Sequence, residues 1–136
     1  MNARLLSHHH PDDEERCISI ASIAICRRCS AIWPVCFLTI AVSLQQHWAV
    51  APWWELLSVL LLPVLEFCAV SLGRLTYRPH RVWFLGIIAG VGAGRLFHRY
   101  LLEPSDPVVW TLMLGLGLPA AIAAAYHEIG KNPNVE

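Results

Sequence analysis

The sequence predicts an all-α membrane protein, a four-transmembrane-helix bundle headed by a cysteine-rich N-terminal cytoplasmic knuckle. Three observations carry this. Hydrophobic residues make up 56% of the chain and charged residues 15%, against about 45–50% and about 25% in soluble proteins. The apolar residues fall into four successive runs. The few charges cluster between those runs instead of being spread evenly. Ten Lys/Arg balance ten Asp/Glu, so there is no global basic field and no expectation of nucleic-acid binding.

The elements follow in order. Residues 1–29 form a polar Cys/His leader. It lacks an early apolar core and a small-residue cleavage site, so the first helix is expected to remain as a membrane anchor. Residues 30–126 form the four-helix body. Its segments run from about Ser30 to Gln46, Trp54 to Gly73, Val82 to Phe97 and Val108 to Tyr126. Each approaches the ~20 residues that cross ~30 Å of hydrocarbon as a helix. The first and third are short and are expected to borrow a turn from their flanks. Residues 127–136 read as a short frayed tail.

Orientation follows from Lys/Arg placement. Arg4, Arg16, Arg27 and Arg28 precede the first segment; Arg74, Arg78 and Arg81 separate the second from the third; Lys131 follows the fourth. Four crossings put all of these on one side, which makes both termini cytoplasmic. Arg95 and Arg99 are left on the other side, with Arg95 snorkelling and His98 interfacial. Trp33, Trp48, Trp53, Trp54, Trp83 and Trp110 all lie near proposed helix ends, where amphipathic rings favour the membrane interface.

The leader concentrates the chemistry. Cys26 and Cys29 form a C-x-x-C pair, with Cys17 nine positions upstream and His8, His9 and His10 beyond it. Three thiolates and one imidazole complete a tetrahedral Zn²⁺ site, and spacing alone does not choose among the three histidines. Iron is an alternative ion. Arg16, Arg27 and Arg28 would favour the thiolate form. Two other readings stay open: a redox dithiol, although the usual βαβ setting is missing, and unliganded small hydrophobes. A structural disulfide is disfavoured on the cytoplasmic side. The acidic run after Pro11 suits a turn and the start of a helix. No catalytic residue is assigned. A closed four-ligand site would be structural, which makes the chain an accessory or interaction module; the redox dithiol would instead make it a membrane thiol oxidoreductase.

Within the membrane body, Glu66 stands out, because an acid in a span costs a few kcal/mol unless paired or hydrated. Its expected partners are Arg27, Arg28, Arg74 or Arg81. An alternative places Glu66 on a metal-transport pathway. Gly86, Gly90 and Gly94 recur at spacing four and form a smooth ridge for close helix approach. Gly117, Ala121 and Ala125 give the fourth segment a similar face. These faces are expected to pack on each other, on a membrane-protein partner or on a second copy. Cys36 and Cys68 read as packing residues.

The stretches "ERC…ICRRCSAIWP", "LPVLEF" and "RPHRVWFLGIIAGVGAG" resemble a family of small prokaryotic membrane proteins known as domain of unknown function 2085. The resemblance runs from His8 to about Gly94. It aligns Cys26, Arg28 and Cys29 with the family's cysteine motif, Glu66 with its membrane acid, and Arg81, Gly86 and Gly90 with its glycine helix. Ser30 and Ala31 replace a Thr-Gly pair, Trp33 a tyrosine, and Glu66 an aspartate. The resemblance implies a multi-pass protein of a prokaryotic inner membrane with a lipid bilayer around it, and it supplies no reaction.

Overall fold

A computed structural model describes residues 17–20 and 23–131. The His8–His10 run and the acidic stretch after it lie outside the described residues. The chain is mostly helical, with a two-stranded antiparallel hairpin ahead of four helices. The hairpin pairs β1 (Cys17–Ile20) with β2 (Ile23–Cys26). It corrects the all-α expectation for the leader. The signal was present: "CISIASIAIC" puts β-branched isoleucine at every second position on either side of two small residues, a strand–turn–strand pattern.

Helix α1 (Arg27–Gln45) starts where β2 ends, so Cys29 belongs to its first turn and not to a separate leader. Helix α2 spans Trp53–Ser71, α3 Pro79–Leu102 and α4 Pro107–Lys131. The predicted borrowing from the flanks occurs in α1 and α3. The supposed tail instead continues α4 by one further turn. Pro79 and Pro107 occupy first helical positions, where the missing N–H has no intrahelical partner to lose. Pro34, Pro63 and Pro119 lie inside helices, as proline often does in membrane spans whose neighbours compensate the freed carbonyls.

Both the α1 and α2 ends close as Schellman motifs. After α2, the Gly73 N–H reaches the Val70 carbonyl and the Arg74 N–H the Ala69 carbonyl, with Gly73 in the left-handed region at φ 70°. Glycine takes that conformation without a Cβ penalty. After α1, His47 holds the same region at φ 51° while the Trp48 N–H bonds the Ser43 carbonyl.

The helices run up, down, up, down. Glycines 86, 90 and 94 meet Ala31, Val35 and Thr39 in ascending order, so α1 and α3 are parallel neighbours. Gly92 meets Leu60 and Arg95 meets Glu55, so α2 runs against α3. Helix α4 packs mainly on α2, around a core of Ala51, Leu56, Leu60, Leu96, Val109 and Leu112.

The outside of this bundle is apolar. Phe37, Leu38, Leu62, Phe84, Leu114, Leu118 and Ile122 are each more than half exposed, and all six tryptophans face outward. Glu66, His98, Ser43 and Asp106 are inside. That inversion suits a lipid surround. Three helices (α1, α2 and α4) are long and apolar enough to cross a membrane. Helix α3 has 24 residues, about 36 Å at helical rise, but its arginines, histidines and glycines dilute its apolarity.

Candidate functional site

The hairpin end of the bundle gathers the residues singled out from sequence. The strand register sets Cys17 directly opposite Cys26, which brings Cβ atoms of such pairs to about 4.5–5.5 Å. Cys26 is also the N-cap of α1, and Cys29 follows at its third helical position. The Cys26 and Cys29 thiols are hydrogen-bonded to each other. The N-terminus of α1 points unpaired N–H groups and the positive end of its dipole at this junction. Arg27 sits there too, and its Nε is buried without a hydrogen-bond partner among the described residues. The helix dipole and the Arg27 charge favour negative charge beside the thiols. Among the described residues, however, no three His, Cys, Asp or Glu side chains are grouped so as to hold a metal ion. Cys17, Cys26 and Cys29 are neighbours without forming a ready three-thiol cage, and the imidazole candidates lie outside the described residues.

One layer deeper is Glu66, 6% exposed. It lies five residues before the end of α2, about 7.5 Å along the helix. Arg28 Nη2 of α1 donates to its Oε2 at 2.7 Å, and Arg81 Nε of α3 donates to its Oε1 at 3.3 Å. Arg81 also donates through Nη2 to the Thr76 carbonyl. The Arg28 guanidinium lies 4.7 Å from the centre of the Phe67 ring. Of the four arginines expected from sequence, the fold selects these two. Both carboxylate oxygens are therefore engaged by cations, and Glu66 acts as the counter-ion joining three helices.

The glycine ridge is occupied by the chain itself. A Cβ on Gly90 would stand 2.7 Å from the Ile32 carbonyl oxygen, and one on Gly94 would stand 2.8 Å from that of Cys36. A Cβ on Gly86 would meet the Ala31 Cβ at 2.9 Å. The ridge is the α1–α3 seam, not a surface open to a partner. Cys36, 1% exposed, belongs to the same seam. The face at Gly117, Ala121 and Ala125 is uncovered: Ala121 and Ala125 are exposed, and nothing lies within 4 Å of a Cβ built on Gly117.

At the opposite end, a second ion-pair layer escaped the sequence reading. Arg99 Nε pairs with Asp106, and its Nη1 donates to the Ala51 carbonyl at 2.7 Å. Asp106 in turn accepts the Val108 N–H at 2.8 Å, which makes it the N-cap of α4. The signal was Asp followed by Pro at a helix start. The Arg99 guanidinium holds the Asp106 carboxyl below the usual carboxylate range, with the Val108 N–H assisting and burial opposing. Arg95 does not simply snorkel, since it lies 3.6 Å from Glu55 and 5.1 Å from the Trp48 ring centre. His98, expected at the interface, is 2% exposed and enclosed by the protein.

No family model, no curated protein and no solved structure matches this chain.

Proposed function

We propose that this chain is a small multi-pass membrane protein that acts as an accessory or interaction module, with a thiol-rich knuckle fastened to the membrane bundle. The supporting observation is the position of Cys26, which faces Cys17 across the strand pair and hydrogen-bonds Cys29 across the first turn of α1. Two sulfurs on one tetrahedral zinc, each about 2.3 Å from the metal, stand about 3.8 Å apart. Cys26 and Cys29 neighbour each other at the first turn of α1, so the C-x-x-C pair suits half of such a site. Cys17 and one imidazole from His8, His9 or His10 would complete it. The ion would lock the leader to the head of α1. With four protein ligands it would leave no open position for water. Metal analysis of the purified protein tests this reading. The expected result is one zinc per chain, lost in Cys26→Ser and Cys29→Ser; a metal-free parent overturns it.

Four crossings, with both termini cytoplasmic, belong to the same proposal. Its support is geometric. Helix α3 runs parallel to α1 in close contact over three turns. If α1 crosses the bilayer, α3 lies at the same depth. The arginine-rich hairpin end then faces the cytoplasm, as expected in the inner membrane of a prokaryotic cell. This is also where the resemblance to domain of unknown function 2085 leads.

The N-cap position of Cys26 favours a second reading, a membrane thiol oxidoreductase. A C-x-x-C pair at a helix N-terminus is the setting that activates a dithiol. Alkylation separates the two. Zinc-bound thiols are protected until a chelator is added, whereas a reduced redox dithiol is alkylated at once. In a separate sample given an added disulfide oxidant, that dithiol passes two electrons and two protons to it to form a Cys26–Cys29 disulfide that a reductant reopens.

A further inference from the structure

The Glu66 layer continues into a cavity of about 180 Å³, lined chiefly by apolar side chains and open on one side. Ile32, Pro63, Phe67 and Ala120 form part of its wall, and Arg28 and Glu66 stand at its polar end. Its apolar wall offers water few hydrogen-bond partners and suits an apolar guest.

The charge at the polar end is unbalanced. Glu66 offsets one of the two guanidiniums, which leaves a net single positive charge inside the bundle. Arg28 spends one hydrogen bond on Glu66, out of the five N–H donors of a guanidinium. The Arg28 side chain is 20% exposed and that of Arg81 32%, so both remain reachable. Exposed Arg74 and Arg78 stand on the same loop. A depth of about 7.5 Å from the end of α2 puts the guanidiniums within snorkelling reach of the headgroup layer.

We propose that this cleft binds one anionic phospholipid, with its phosphate on Arg28 and Arg81 and part of one acyl chain in the cavity. Charge complementarity selects an anion, and the adjoining apolar wall selects an amphiphile over a free ion. Basic clefts between membrane helices commonly take such headgroups. The inference does not depend on the thiols: it uses Arg28, Glu66, Arg81 and the cavity wall.

Native mass spectrometry of the detergent-purified full chain tests it, with phosphatidylglycerol, phosphatidylcholine and inorganic phosphate as probes. One phosphatidylglycerol should bind at least about tenfold more tightly than phosphatidylcholine. Arg28→Gln should abolish that preference. Ala120→Phe, which fills the cavity from α4 and touches no charge, should weaken phosphatidylglycerol binding by a similar factor while the melting temperature holds. Equal binding of the two lipids overturns the proposal. So does competition by inorganic phosphate that matches the lipid, or full lipid affinity in a folded Ala120→Phe variant.

Discussion

Glu66 costs free energy where it stands, and its neighbours explain why it is tolerated. A carboxylate held by two guanidiniums from different helices replaces hydration with charge-assisted hydrogen bonds. Arg95 and Glu55 differ, because their 3.6 Å separation and the 39% exposure of the glutamate leave water to compete. A double-mutant cycle on Arg28 and Glu66, measured by unfolding in mixed micelles, is expected to give a coupling of at least about 1 kcal/mol. The same cycle on Arg95 and Glu55 should give less than about 0.5 kcal/mol. Comparable couplings would show that burial does not separate the two pairs. The sequence pointed to Glu66 because an acid between leucines is conspicuous. It could not choose between four arginines, since that choice depends on which helix lies beside α2 at that height.

Helix pairing is decided by small residues. At Gly90, the nearest atoms to an added Cβ are a backbone carbonyl and a β-branched side chain, and neither can yield without moving α1. Gly90→Ala is therefore expected to cost about 1–3 kcal/mol by overpacking, beyond anything it gains in helix propensity. Gly117→Ala, facing open space, should be neutral or stabilising by up to about 1 kcal/mol. Unfolding titrations of both variants check the contrast. The periodicity of Gly86, Gly90 and Gly94 was legible as a close-approach face, but its partner was not, because a glycine ridge fits any helix backbone equally well. Asp106 works at this scale as well, capping α4 and anchoring Arg99. Its carboxyl is held below its ordinary value by Arg99, so the stabilisation is complete above about pH 4. It is lost as pH falls through the lowered value. Asp106→Asn keeps a capping acceptor but removes the titration. The variant should be less stable than the parent at neutral pH, and that deficit should shrink as the pH falls below about 4. A deficit that is constant with pH would rule out the charge pair as the cause.

For the molecule as a whole, crossing number is the decisive quantity. Four crossings put residues 46–52 and 103–106 on one side, and the hairpin and Leu75 on the other. Membrane-impermeant labelling of single cysteines at Gln46, Leu75 and Ser105, in a background without the native five, should mark Gln46 and Ser105 together and Leu75 apart. Labelling of Leu75 together with Ser105, apart from Gln46, would remove α3 from the bilayer and break the parallel seam with α1.

Apolar runs and clustered charge were enough to establish a helical chain with spans of membrane length. The reason is local: hydrocarbon allows a lone segment no backbone hydrogen bonds except its own, so composition over about 20 residues determines the state. The ends of α1, α3 and α4 shifted by a few residues because capping and packing, not hydropathy, end a helix. The hairpin was readable in its alternating isoleucines but was outweighed by the cysteines and charges around it. Only the tertiary structure decided that α1 fills the glycine ridge, that Arg28 and Arg81 flank Glu66, and that Arg99 reaches Asp106. Those outcomes depend on which helix faces meet, and a meeting between residues far apart in the chain leaves no trace in either segment alone.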